Sequence, residues 1–307
     1  MRICSLLPSA TETLFALGLG DSVVGVTHEC DFPPEAARKP ALLRPRVDPQ
    51  EPPAAVDRRV SELARRGESL YAIDADLLCS ISPDLIVTQD LCHVCAASPG
   101  DLQAALRRLP KRTRVLSLSP RSLREVWDDI RRVGEATGRK REAQALALTL
   151  EQRVATIENR VRNAAPHPRV LCLEWLDPLY VGGHWIPEMV AKAGGEDVLG
   201  RAGQPSRRVS TDEIAAADPQ VIVILPCGYD LDRTVREFAE AQIAVAWSAL
   251  PALRAGRVFA VDANGYFSRP GPRLAEGVSI LAHIFHPGLL PPEPGSRFHQ
   301  VLAGRRA

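Results

Sequence analysis

The 307-residue chain has no apolar run near the roughly 20 residues that a membrane-spanning helix requires, so no span is predicted. No charge of one sign dominates. Its 38 Lys and Arg against 37 Asp and Glu leave a formal net charge of +1, with no basic surplus to suggest nucleic acid. Neither a P-loop nor a GxGxxG run is present, nor a Ser-His-Asp order of the hydrolase kind, which argues against kinase, dehydrogenase and hydrolase chemistry. The N-terminal residues lack the basic segment, apolar core and cleavage site of a secretory signal, and a cytoplasmic location is the expectation that follows. Seven cysteines cannot form a fully paired framework. In a reducing compartment they are expected as thiols, metal ligands or redox groups.

What is present is an alternation of short β-rich runs and helical patterns, which predicts α/β structure with parallel sheets. Strands are expected at Arg2–Leu7, Ser22–Thr27, Asp84–Gln89 and Arg114–Leu118, then at Arg169–Glu174, Val221–Leu225 and Arg257–Val261. A helix over Ser9–Leu17 has Ser9 and Glu12 at the spacing of a capping box. Leu123, Val126, Ile130 and Val133 recur at helical spacing, as do Leu146, Leu150, Val154 and Ile157, so Ser122–Asn163 is read as one long connecting helix that Gly134 or Gly138 could bend. The predicted organisation is an N-terminal α/β lobe (1–120), the connecting helix (121–164), a C-terminal α/β lobe (165–286) and a Pro- and Gly-rich tail (287–307).

Parallel α/β sheets bind ligands beyond the carboxyl ends of their strands. The segments there are Pro8–Glu12, His28–Asp31, Asp90–Cys95, Trp175–Tyr180, Pro226–Asp230 and Asp262–Pro270, and they concentrate the aromatic residues and cysteines.

Five stretches, "RICSLLPSATETLFALGLGDSVVGVTHECDFP", "SPDLIVTQD", the long central helix, "ADPQVIVIL" and "ALRAGRVFAVDANGYFSRPGPRL", together resemble the substrate-binding proteins of vitamin B12 and ferric-siderophore importers. The likeness spans about residues 2 to 286 and is nearest to the cobalamin-binding members. It implies two Rossmann-like lobes joined by one long rigid helix. A ligand would be clasped between them without chemical conversion, and an ABC permease would be the partner if the chain is exported. The absence of an export signal and the loop cysteines depart from that pattern. A native start upstream of Met1 would restore an exported importer subunit.

The candidate ligand-binding residues are Ser9, Glu12, His28, Asp90, Trp175, Tyr180, His184, Trp185, Tyr266, Phe267 and Arg269. Against most of them stands a plainer reading. Ser9 and Glu12 could only start a helix, the aromatics could be core, Arg269 could be a salt-bridge partner and His184 a polar loop residue. A corrin ring is broad and largely apolar with amide arms, and flat aromatic walls suit it. His28 or His93 would be axial donors to its cobalt.

Cys4, Cys79 and Cys172 read as small buried hydrophobes. Cys30, Cys92, Cys95 and Cys227 each follow a strand, and as thiolates they could share zinc or an iron–sulfur cluster. That set supports the alternative function, a cytoplasmic metal or iron–sulfur redox protein.

Overall fold

A computed structural model describes residues 1–89, 104–109, 113–164, 166–241, 247–292, 294–295 and 297–301. The chain divides into two compact units, one of residues 1–120 and 125–148, the other of 121–124 and 149–307.

In the N-terminal unit the strands are β1 (Ile3–Ser5), β2 (Val23–Thr27), β3 (Ala41–Pro45), β4 (Tyr71–Ile73), β5 (Leu85–Gln89) and β6 (Arg114–Leu118), in the sheet order β4-β3-β2-β1-β5-β6. Among its described helices are α1 (Pro8–Ala16), α2 (Pro53–Arg65) and α3 (Ala75–Ile81). The inner strands β2, β1 and β5 pair in parallel, and Ile3, Cys4, Leu85, Ile86 and Val87 are all at most 1% exposed. A strand covered on both faces reads as an unbroken apolar run, which is how β1 and β5 were legible. The edge is different. β4 pairs antiparallel with β3, so the sheet is mixed rather than wholly parallel as expected.

Helix α1 corrects one expectation. It begins at Pro8, whose fixed φ suits the first helical position, and Leu7 is the N-cap with no side-chain cap bond. Ser9 is thereby carried inside the first turn, and Ser9 and Glu12 form no capping box. A capping box does occur at Ser210, whose hydroxyl accepts from the Glu213 amide at 3.1 Å while the Glu213 carboxylate accepts from the Ser210 amide at 2.9 Å.

The central segment also departs from expectation. It is helical, but as two helices, α4 (Leu123–Thr137) and α5 (Lys140–Val161). The break lies at Gly138, with φ +75°. The Arg139 amide donates to the Gly134 carbonyl at 2.8 Å and the Gly138 amide to Glu135 at 3.5 Å, the bond pattern of a Schellman stop. Leu123, Val126, Ile130 and Val133 are buried as their spacing predicted. In α5 the buried stripe runs through Ala143, Ala147, Leu150, Val154, Ile157 and Val161, and Leu146 lies at its margin.

In the C-terminal unit the strands are β7 (Arg169–Leu176), β8 (Leu179–Val181), β9 (Glu196–Asp197), β10 (Arg207–Arg208), β11 (Val221–Ile224), β12 (Val258–Val261) and β13 (Phe298–Gln300). The order is β10-β8-β7-β11-β12-β13, with β9 on β7. The β7-β11-β12 centre is parallel, while β8, β10 and β13 are antiparallel additions. The described helices include α6 (Ile186–Lys192), α7 (Thr211–Ala217), α8 (Leu231–Glu240), α9 (Pro251–Arg254), α10 (Ala263–Tyr266) and α11 (Leu274–Phe285).

Helices α4 and α5 meet at Gly134, where an added Cβ would overlap the Ala143 methyl and lie 2.9 Å from the Arg139 carbonyl. Gly134→Ala would gain about 1 kcal/mol of helix propensity. The overpacking costs about 1–3 kcal/mol and also disturbs the Schellman stop. The expected outcome is a lower denaturant midpoint at unchanged slope, measured by far-ultraviolet circular dichroism in urea.

Candidate functional site

The aromatic residues of the C-terminal unit are organised by a bulge. In the β7–β8 hairpin Leu173 faces Val181, yet the next partners are Trp175 and Tyr180, leaving Glu174 as an extra residue in β7. One extra residue turns the following side chain to the opposite face. Leu173, Leu176 and Val181 stay in the core cluster, with Leu179 packed against it, while Trp175 and Tyr180 share the other face. β10 continues the row, because Arg208 faces Tyr180 and donates from Nε to the phenol oxygen at 2.8 Å. On its other side Trp175 meets Tyr229, with ring centroids 5.3 Å apart and tilted by 59°. Tyr229, Trp175, Tyr180 and Arg208 form one line. Trp175 and Tyr180 were expected in loops and are strand residues, because β7 runs on to Leu176 and returns at once as β8.

The line is held at both ends of the Trp175 segment. The indole Nε1 donates to the Asp177 carbonyl at 3.1 Å, and the Cys227 amide donates to the Glu174 carbonyl at 3.2 Å. The Glu174 carboxylate accepts from the Ser206 hydroxyl at 2.6 Å. Tyr229 is buried, and burial first, against the opposing effect of the Arg233 charge, pushes its phenol up to about 12.

Trp185 and Phe267 belong to the core, at 7% and 1% exposed, and the Trp185 indole donates to the Phe267 carbonyl at 2.8 Å. For these two the plainer reading of a packed aromatic describes their placement. Tyr266 is half-buried in α10, its phenol raised by burial, with the Arg273 guanidinium 5.6 Å from its ring. Arg269 is buried rather than held out from its Pro- and Gly-bounded segment, and the Gly271 amide donates to its carbonyl at 2.8 Å.

His184 is half-buried beside the Trp185 ring, at 5.6 Å and 35°. Its φ of +51° is unusual for a residue with a Cβ. The conformation is held from both sides, since its amide donates to Gln204 at 2.6 Å and its carbonyl accepts from Gly203 at 2.8 Å. The preceding Gly183 has no room for a side chain, because a Cβ there would strike the Gln204 carbonyl and lie 2.5 Å from the Ser206 nitrogen. Burial, then the Arg121 charge, lowers the imidazole below its ordinary value.

In the N-terminal unit His28 Nδ1 lies 3.1 Å from the Leu43 carbonyl, which fixes the ring and leaves Nε2 3.9 Å from the Glu29 carboxylate. The Tyr71 hydroxyl donates to Glu29 at 3.3 Å, and the His28 and Tyr71 rings lie 5.6 Å apart. Glu12 and Ser9 are both buried, and the Ser9 carbonyl accepts from Thr13 at 2.9 Å.

Cys30 departs from the expectation of a thiol offered to a ligand. It is 2% exposed, with Sγ 3.1 Å from the Thr11 hydroxyl and 3.3 Å from that of Thr27, and Thr11 also donates to Ser5 at 2.8 Å. Cys227, in the other unit, is exposed. Asp90, Cys92, His93 and Cys95 lie outside the described residues. Among the described residues no group of three or more His, Cys, Asp and Glu could hold a metal ion. Cys4 and Cys172 are buried as expected, and desolvation pushes the Cys4 thiol up to about 12.

Tyr229, Arg208 and Tyr71 were not among the residues singled out from sequence. Tyr229 had a signal, since it stands in the segment after β11. Arg208 and Tyr71 reach their partners by strand pairing between distant segments, which no local pattern announces.

A family model described as periplasmic binding protein matches residues 3–264. The chain belongs to the periplasmic binding protein family. The vitamin B12-binding protein of Vibrio cholerae serotype O1 is 25% identical over 279 residues, covering 90% of this chain and 86% of that one. An uncharacterized ABC transporter substrate-binding lipoprotein of Bacillus subtilis is 26% identical over 294 residues, covering 93% and 80%. Among solved structures, the periplasmic heme-binding protein of Roseiflexus sp. RS-1 aligns with a TM-score of 0.70 at 25% identity, covering 93% of this chain and 98% of that one. The periplasmic vitamin B12-binding protein of Vibrio cholerae aligns at 0.66 with 24% identity, covering 92% and 96%. These likenesses confirm the two-lobed α/β fold. They also overturn the expected cytoplasmic location, because the family and the lipoprotein relative point outside the cytoplasm.

The neutral form of His184 is the one the fold favours, so stability is retained above the imidazole's ordinary value, near pH 6.5, and falls as pH drops through the lower folded value. Arg121→Gln should raise the His184 value part of the way back, since burial is the larger cause. Imidazole chemical shifts followed against pH check this.

Proposed function

We propose that the chain is the substrate-binding component of an ABC importer and that its cargo is cobalamin or a related corrinoid, carried without chemical conversion. The observation that carries this reading is the Trp175–Tyr180–Arg208 row, two aromatic rings and a guanidinium on one sheet face, with the buried Tyr229 ring behind Trp175. A corrin ring offers broad apolar faces to such rings and amide oxygens to such donors. Covering about 50 Å² of apolar surface on each half-buried ring contributes about 1.3 kcal/mol. Two rings therefore supply about 2.5 kcal/mol, below the cost of association, which is at least about 4 kcal/mol. Polar contacts must add to it, and the candidates in the same unit are His184, Tyr266 and Arg269. The vitamin B12-binding relative in Vibrio cholerae, alike over 90% of this chain, supports the same cargo.

A second reading is an iron porphyrin. His28, with Nδ1 against the Leu43 carbonyl, would offer Nε2 to iron as it would to cobalt. The heme-binding relative of Roseiflexus supports it as well.

Titration of the protein with hydroxocobalamin and, separately, with hemin distinguishes the two. Expected are a shift of the visible corrinoid bands, heat of binding at micromolar protein, and an affinity lowered about tenfold or more by Trp175→Ala. No spectral shift and no heat with hydroxocobalamin would remove the corrinoid reading, and saturable hemin binding in its place would establish the second.

A further inference from the structure

Behind Trp175 lies an arrangement that the cargo reading leaves unexplained. Arg233 of α8 is 9% exposed, and its guanidinium carbon stands 3.8 Å from the centroid of the Tyr229 ring. The same guanidinium donates from Nη2 to the Tyr229 hydroxyl at 3.0 Å and from Nε to Glu237, one turn on, at 3.3 Å. Tyr229 itself is 3% exposed and tilts its ring onto Trp175. A guanidinium and a phenol have thus been taken out of water, with a partly buried carboxylate beside them, in a row that ends on a half-buried indole.

Burying an Arg–Glu pair is a weak source of stability, because desolvation offsets most of the attraction. What such a pair does supply is direction. Its hydrogen bonds fix angles as well as distances, and a planar guanidinium over an aromatic face fixes the ring plane. The backbone reinforces the same point. The Arg233 amide donates to Asp230 at 2.8 Å, starting α8, and the Asn264 amide donates to the Tyr229 carbonyl at 2.9 Å. Tyr229 is therefore located from two elements before it touches Trp175.

We propose that Tyr229 and Arg233, with Glu237 behind them, are positioning residues that hold the Trp175 ring at a set angle before cargo arrives. The proposal deepens the corrinoid reading and rests on it for its binding readout alone. A ring already held gives up less freedom on binding than one that must be ordered, and for one side chain the difference is about three- to tenfold in affinity. The exposed face of the line does the contacting, and the buried stack sets its angle.

The first test needs no ligand. Near-ultraviolet circular dichroism of the apo-protein is compared with that of Trp175→Phe, and the difference isolates the Trp175 band from those of the other tryptophans. That band should collapse in Tyr229→Leu and in the charge-neutral pair Arg233→Met, Glu237→Gln, and should persist in Tyr229→Phe, which keeps the ring. The paired variant leaves no buried charge alone and carries the test if Tyr229→Leu does not fold. With hydroxocobalamin as probe, both disruptive variants should bind about three- to tenfold more weakly, and the loss should vanish when Trp175 is already Phe. An unchanged band in both variants, or an equal loss of affinity with and without Trp175, would overturn the proposal. If hydroxocobalamin does not bind the wild type, the cargo reading falls, while the band still decides the positioning role.

Discussion

The single extra residue at Glu174 governs much of what the C-terminal unit can present. Without it, alternation along β7 would send Trp175 to the side of Leu173, into the core, and Tyr180 would stand alone on the opposite face. With it, the hairpin keeps Leu173, Leu176, Leu179 and Val181 on the apolar side and brings an indole, a phenol and a guanidinium into one row. The bulge costs a break in the ladder, and the Cys227 amide, which binds the Glu174 carbonyl, recovers one of the bonds. The extra residue thus also ties β7 to the segment that carries Tyr229.

The N-terminal unit uses its polar side chains differently. Ser5, Thr11, Thr27 and Cys30 close on one another at 2.8 to 3.3 Å inside the unit, at the point where β1 and β2 end and α1 begins. A thiol placed among hydroxyls finds its described contacts inside the unit. His28, two residues earlier, keeps its ring half exposed against Tyr71 and Glu29. Two residues of one turn after β2 have separate fates because one side chain turns inward onto Thr11 and Thr27 and the other lies against Tyr71 and Glu29.

The strands at the centre of each sheet were legible because a strand covered on both faces must be apolar throughout, as in β5 and β11. The short outer strands β3, β4, β8, β9, β10 and β13 were not, since they are two to five residues long and most carry Arg, Tyr, Pro or Glu. Helix α4 announced its buried face by spacing, and Gly138 announced its end, but only a glycine in the left-handed region together with the Arg139–Gly134 bond turns a bend into a stop. Ser9 and Glu12 mimicked a capping box because the spacing was right, while Pro8 had already claimed the first helical position.

The order of apolar runs, the helical stripe of the central segment and the family likeness were determined by the sequence alone, because each depends on neighbours within a few residues or on a linear succession of motifs. Which aromatic residues face outward was decided only by tertiary structure. Trp175 and Trp185 are alike in the sequence, each a tryptophan close to a strand end. One is turned out by a bulge and backed by Tyr229, and the other is drawn into the core by a bond to Phe267, 82 residues away. A side chain's face is set by the register of strands that pair across the chain, and register is a property of the folded sheet, not of any segment in it.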